Sequence, residues 1–321
     1  MIPTVDFIFL VIQCIGYCLY LLMSICFIFK LFTGDKHDGD SNTFLIHFIA
    51  NCFFDLMQVA AVILMQKFLH WNLWLEVLLT NNFILLIRIP ALYMTLLASV
   101  MGTTYTVVNR YCVLVYGSRF RQKWTNNVSY VLITLQLLFP LTVFSFSCIN
   151  PSTVKYMESF ELYFFVSPTP TEAAIVNIVF AVLIFIAIII TVSMNIIIFN
   201  KFNRLMENAT KKEQKKKYLI MIYMVITTSC LICLFFEHFA RIFFLIFDLG
   251  DAVNFMTYPL FWIIPISTLV QPITTMIMSK YLRQYFINFY CPKLITLEYS
   301  TTKAENVTKQ HGPTHPTKIV L

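Results

Sequence analysis

Four formally charged residues lie deep inside apolar stretches of this chain: Asp55, Arg88, Glu237 and Arg241. Charged side chains in an apolar medium are costly, so they mark pairing or function. Glu237 and Arg241 stand four apart and share a helix face, with His238 beside them. Such a set suits binding of a small polar–apolar molecule, or handling of a cation by Asp55. It does not suit catalysis. The sequence has no His-Glu-x-x-His pair, no second intramembrane aspartate and no Gly-x-Ser-x-Gly elbow. A retinal-type Schiff base needs a lysine in the last apolar run, and Val253–Met278 has none. No enzymatic activity, cofactor or metal ion is expected.

The elements that must position these residues are seven long apolar runs. They are Phe7–Phe29, Phe44–Gln66, Phe83–Val108, Val128–Cys148, Ala173–Phe199, Tyr218–Phe247 and Val253–Met278. Each meets the roughly 20 residues a helical membrane span requires. With 59% hydrophobic and 12% charged residues, too little polar surface exists to cover a soluble globule. The expected fold class is an all-α membrane protein: a seven-transmembrane helix bundle with a short amphipathic C-terminal helix. One receptor-sized domain is expected over residues 1–291, and a disordered cytoplasmic tail over 292–321.

Nineteen of the twenty-three Lys and Arg residues fall on one side once the runs are threaded through a bilayer. Basic residues near span ends stay cytoplasmic, which puts the N-terminus outside and the C-terminus in the cytoplasm, at the plasma membrane. The first run is too long for a cleaved signal peptide and is expected to remain as a helix. A net charge of +7 would suit a nucleic-acid partner, but these residues hug span ends. Anionic lipid of the inner leaflet and a cytoplasmic protein are the expected counter-charges, with no nucleic-acid partner.

Cys14, Cys18, Cys26, Cys52, Cys230 and Cys233 sit in apolar runs, Cys112 and Cys291 on the cytoplasmic side, and only Cys148 nears the oxidising side. No disulfide is expected. The sequons at Asn127, Asn208 and Asn306 fall on the cytoplasmic side and are expected to stay unglycosylated. After the last run, KYLRQYFINFYC places Tyr281, Leu282, Tyr285, Phe286 and Phe289 on one helix face, as suits a helix lying on the membrane. Cys291 closes it as a candidate palmitoylation site.

Depth sorts the buried charges. Asp55 lies about twelve residues, or roughly 18 Å, into the second run and so near mid-membrane, as an ion ligand, a switch or a structural carboxylate. Arg88 lies about 22 residues, roughly 33 Å, before Arg110, and Glu237 about 20 residues, roughly 30 Å, beyond Lys217. Arg88, Glu237, His238 and Arg241 therefore share the outer third with Pro90, Tyr258, Phe261 and Trp262. Arg88, Glu237, His238, Arg241, Tyr258 and Trp262 become candidates to line a ligand pocket. The plainer alternative is interfacial snorkelling plus an intrahelical Glu–Arg pair.

At the cytoplasmic end of the third run stands Asn109-Arg110-Tyr111, followed by VLVYGSRFRQKW. It resembles the Asp-Arg-Tyr corner of rhodopsin-like receptors. Together with Trp124, Asp55-Leu56, the basic run before KYLIMIYMVITT and SKYLRQYF, it resembles the nematode serpentine chemoreceptors of class gamma and related classes. The likeness covers Phe7 to Cys291. It implies a chemosensory G-protein-coupled receptor with a small-molecule ligand outside and a heterotrimeric G protein inside, coupled through Asn109, Arg110 and Tyr111. Asn109 replaces the acidic residue of the corner, Gln271-Pro272 stands where many receptors have Asn-Pro, the sixth run has no Cys-Trp-x-Pro, and no cysteine at the top of the third run can meet Cys148. An acidic lock and an outer disulfide are therefore not carried over. A rival of another class is a small transporter or channel using Asp55 as an intramembrane ion ligand.

Overall fold

The computed structural model describes residues 4–33, 39–116, 124–158, 161–205 and 211–291. Expectations for Arg119, Arg121, Lys123, Asn208, Asn306 and the tail 292–321 lie outside the described residues. All seven apolar runs are helical and long enough to cross a membrane. They are α1 (Thr4–Thr33), α2 (Gly39–Val62), α3 (Asn82–Tyr116), α4 (Asn126–Phe144), α5 (Pro170–Leu205), α6 (Lys211–Ile246) and α7 (Thr257–Met278). The KKEQKKK segment is helical and prolongs α6.

The described chain divides into two compact units. The first runs to Thr274 and holds the bundle. The second, from Thr275, holds the last turn of α7 and the short helix α8 (Lys280–Tyr290). Ser279 Oγ accepts the Leu282 amide at 3.2 Å and starts α8 with a side-chain cap. Arg283 Nη1 donates to the carbonyls of Met276 and Ile277 at 3.0 and 3.2 Å, occupying two of the orphan acceptors that end α7. Leu282 is buried, whereas Tyr281 and Phe289 of the same apolar face are exposed, as are Lys280 and Gln284.

Within the first unit the usual soluble arrangement is inverted. Ile178, Val182, Phe185, Ile189 and Ile196 of α5 are exposed, whereas Gln13, Asn51, Asp55, Gln58 and Gln136 are buried. In water each exposed apolar side chain would cost about 25 cal/mol per Å². In lipid the cost vanishes, and the polar groups turn inward to find partners. Helix α3 lies at the centre, packed on α2, α4 and α5, with α5 on α6. Small residues let helices approach closely. A Cβ on Gly16 would stand 2.9 Å from Leu269 Cδ1 of α7, and one on Gly102 would stand 2.8 Å from Asn51 Cγ.

Two features were not read from the sequence. Helix α2 continues beyond Val62 through a π turn at Ile63–Lys67 and then Phe68–His70. Between α4 and α5 lies an antiparallel hairpin, β1 (Thr153–Met157) and β2 (Leu162–Val166), with Lys155 opposite Phe164. The Ser152 amide donates to Leu85 O of α3 at 2.9 Å. Phe165 packs into a cluster with Leu69 and Leu78, so the hairpin covers one end of the bundle. The opposite end carries Lys30, Arg110 and Lys201.

Candidate functional site

A cavity of ≈ 90 Å³ opens among α2, α3, α5, α6 and α7 beneath the hairpin. Three expected ligand residues line it: Arg88, His238 and Arg241. Their approach follows from helix depth, because α3 and α6 run in opposite senses and place residues far apart in sequence at one level. Arg88 lies over the Phe165 ring, 4.5 Å from Cζ to centroid, and its Nε is buried without a hydrogen-bond partner. Arg241 Nε donates to Glu237 Oε1, and its Nη2 donates to Thr257 Oγ1 at 3.3 Å. Glu237, 2% exposed, stands behind the cavity wall and holds Arg241 in place.

His238 is oriented by a chain of bonds. Asn177 Nδ2 donates to Ala173 O at 2.7 Å, which turns Asn177 Oδ1 toward α3 and α6. That oxygen accepts from Tyr93 OH at 3.2 Å and lies 2.9 Å from His238 Nδ1. A carbonyl oxygen only accepts, so Nδ1 carries a proton. Nε2 has no hydrogen-bond partner, although Glu237 Oε2 lies 3.2 Å away. Phe180 and Tyr93 flank the imidazole, with centroids at 4.5 and 5.7 Å.

Tyr258 and Trp262 sit elsewhere. Tyr258 stacks on His70 at 5.3 Å and 11°, within the aromatic layer that includes Phe164 and Phe261. Trp262 is 39% exposed and packs on Phe9 of α1 at 4.1 Å. Neither is among the residues lining the cavity.

Below the cavity a buried polar layer joins five helices. Asp55 accepts from Ser99 at 2.5 Å and from Tyr20 at 3.2 Å. Asn51 Nδ2 donates to Thr106 and Gln271, and Gln136 Nε2 donates to Asn51 and to Ala98 O at 2.8 Å. At the basic end the Arg110 guanidinium stacks on Tyr223 of α6, 3.8 Å from Cζ to centroid. Tyr111 packs on the cluster of Ile198, Tyr223, Met224 and Val270, and Asn109 is 5% exposed. Cys291 is exposed after α8.

A sequence model described as Serpentine type 7TM GPCR chemoreceptor Srv matches residues 9–290, the whole bundle and α8. The chain belongs to the Srv family of chemoreceptors. No curated protein matches it. The serpentine likeness carried by Asn109-Arg110-Tyr111 thus rests in Srv, where the motifs resembled class gamma and its relatives. The protein is a multi-pass membrane chemoreceptor of a receptor family, not an enzyme family.

The cavity and the basic end of this Srv receptor also include residues that sequence reasoning passed over. Gln58, Val62 and Gln66 line the cavity at four-residue steps, a helical stripe visible in the sequence of α2. Asn177 is one of the few polar residues in an apolar run, itself a signal. Phe165 and Ser167 enter from the hairpin, which no periodicity announced. Tyr223, the partner of Arg110, carried no mark among many aromatic residues.

Proposed function

We propose that this chemoreceptor binds a small molecule in the hairpin-end cavity, at the outer face of the plasma membrane, and signals to a heterotrimeric G protein at its cytoplasmic basic end. The observation that carries the reading is the gathering of Arg88, His238 and Arg241 around one cavity, opposite the end that holds Arg110. The lysine and arginine distribution supports an outside N-terminus and a cytoplasmic C-terminus. On this reading α8 lies on anionic lipid of the inner leaflet, with Cys291 as an acyl acceptor.

The mechanism is a population shift. A ligand acts only through different affinity for two arrangements of the helices. Moving the ratio from 1:99 to 99:1 takes about 5.5 kcal/mol of difference. Hydrogen bonds to charged groups contribute about 1.5–3 kcal/mol each, so two to four contacts made in one arrangement suffice. Asp55 and the polar layer connect cavity to basic end as the switch between arrangements. Arg110 on Tyr223 clasps α3 to α6 by a charge–ring contact, in a corner where Asn109 replaces the acid. Releasing that clasp frees Arg110, Asn109 and Tyr111 for the G protein.

The test combines a screen of volatile and water-soluble compounds on expressing cells, read by second messenger, with two variants that reach the surface. Ile264→Trp fills the cavity and is expected to abolish the response to any activator found. Arg110→Ala is expected to abolish stimulated nucleotide exchange. A response that survives Ile264→Trp removes the cavity from the mechanism, and unchanged exchange in Arg110→Ala removes the coupling role.

A further inference from the structure

The charges around the cavity do not cancel. Glu237 and Arg241 neutralise one another, and among the described residues no carboxylate pairs with Arg88. A guanidinium held in an apolar bundle without a counter-ion is costly by several kcal/mol. The Phe165 ring offsets only about 0.5–2 kcal/mol of that. The lining residues carry four buried polar atoms without a hydrogen-bond partner: Arg88 Nε, Ser167 Oγ, His238 Nε2 and Gln66 Oε1. A planar fork of N–H donors matches two oxygens on one carbon. Leu92, Leu96, Val176, Leu260 and Ile264 supply apolar lining, interrupted by polar side chains such as Gln58, Asn254 and Thr257. At about 10–15 Å³ for one water-sized group, a cavity of ≈ 90 Å³ holds about six to nine such groups.

We propose that the cavity receives a small monocarboxylate anion. Its carboxylate accepts from Arg88 and Ser167, and its short hydrocarbon body lies against Leu92, Val176, Leu260 and Ile264. The inference rests on the reading of this cavity as the ligand site and adds the chemical class. An amine would meet Arg88 as a like charge. A neutral amide or alcohol would leave that cation uncompensated. A phosphate, with more charge and a third oxygen, would need a second free cation, and Arg241 is already held by Glu237.

The experiment sets straight-chain carboxylates from propanoate to octanoate, and benzoate, against their primary amides and amines. Thermal stabilisation of the purified receptor and nucleotide exchange in membranes are both read. At least one carboxylate is expected to give both effects, with its amide and amine at least about 30-fold weaker. Arg88→Gln is expected to raise the half-effective carboxylate concentration by a similar factor and Arg88→Lys by less, while Ile264→Trp abolishes both effects. Without ligand, Arg88→Gln is expected to be at least as heat-resistant as the parent, since an unpaired buried charge is gone. If that variant fails to fold, the acid–amide–amine comparison on the parent decides. Amides or amines that match the acids and still lose their effect in Ile264→Trp overturn the anion and leave the cavity standing. A carboxylate effect that survives Ile264→Trp overturns the cavity itself. Absence of any carboxylate effect overturns the proposal.

Discussion

The hairpin end of the bundle holds its two arginines in different ways, and the basic end repeats only one of them. At the hairpin end Arg241 is bonded to Glu237 and Thr257, while its neighbour Arg88 rests on the Phe165 ring with no ionic partner. At the basic end Arg110 likewise rests on a ring, that of Tyr223. An ion pair in low dielectric is expensive to separate, so Arg241 is a fixture of the wall. A guanidinium on a ring face keeps its charge and its fork of donors available to another partner. On the proposed function the exchangeable arginines are the ring-stacked ones, Arg88 toward a ligand and Arg110 toward a G protein.

The largest test of this contrast is Glu237→Gln, which leaves Arg241 buried without its counter-ion. It is expected to cost about 3–5 kcal/mol and to lower both the unfolding temperature in detergent and the surface fraction. A variant as stable as the parent would show that Arg241 is no more fixed than Arg88. The polar layer joining the ends comes next. Gly102→Ala pushes a methyl against Asn51 and Gln136 and should cost about 1–3 kcal/mol by thermal unfolding, blunting the response more than it blunts ligand binding.

At the basic end, Tyr223→Leu removes the ring under Arg110. A loss of about 0.5–2 kcal/mol from the clasp is expected to raise unstimulated nucleotide exchange several-fold, whereas Tyr223→Phe keeps the ring and stays near the parent. Equal behaviour of the Leu and Phe variants would mean that the stacking does not hold the resting arrangement. The smallest effect belongs to Trp262→Ala. Its half-exposed ring sits on Phe9 away from the cavity, so ligand potency should move less than twofold in dose–response, with stability within about 0.5 kcal/mol.

The common level of Arg88, His238 and Arg241 follows from depth alone, because 1.5 Å per residue converts distance from a loop into a level in the membrane. The same arithmetic put Trp262 and Tyr258 at that level, yet Trp262 faces α1 and Tyr258 joins the layer under the hairpin. Level is readable from sequence; rotation about the helix axis is not, least of all in helices apolar on nearly every side. Asn177 shows the limit. Its position in α5 is plain in the sequence, but only packing brings its oxygen to Tyr93 and His238. The hairpin escaped for another reason: lying between spans, it shows no helical period and owes its place to Phe164 and Phe165 being buried at the bundle end.

The sequence by itself determined the seven spans, the level of each buried charge and the split between a basic end and an opposite end poor in lysine and arginine. It could do so because lipid demands long apolar helices and each residue advances the chain by a fixed rise. Only the tertiary structure decided which charges pair, which rest on rings and where a cavity remains. Those outcomes depend on how helices turn toward one another, and that is settled by contacts between residues far apart in the chain.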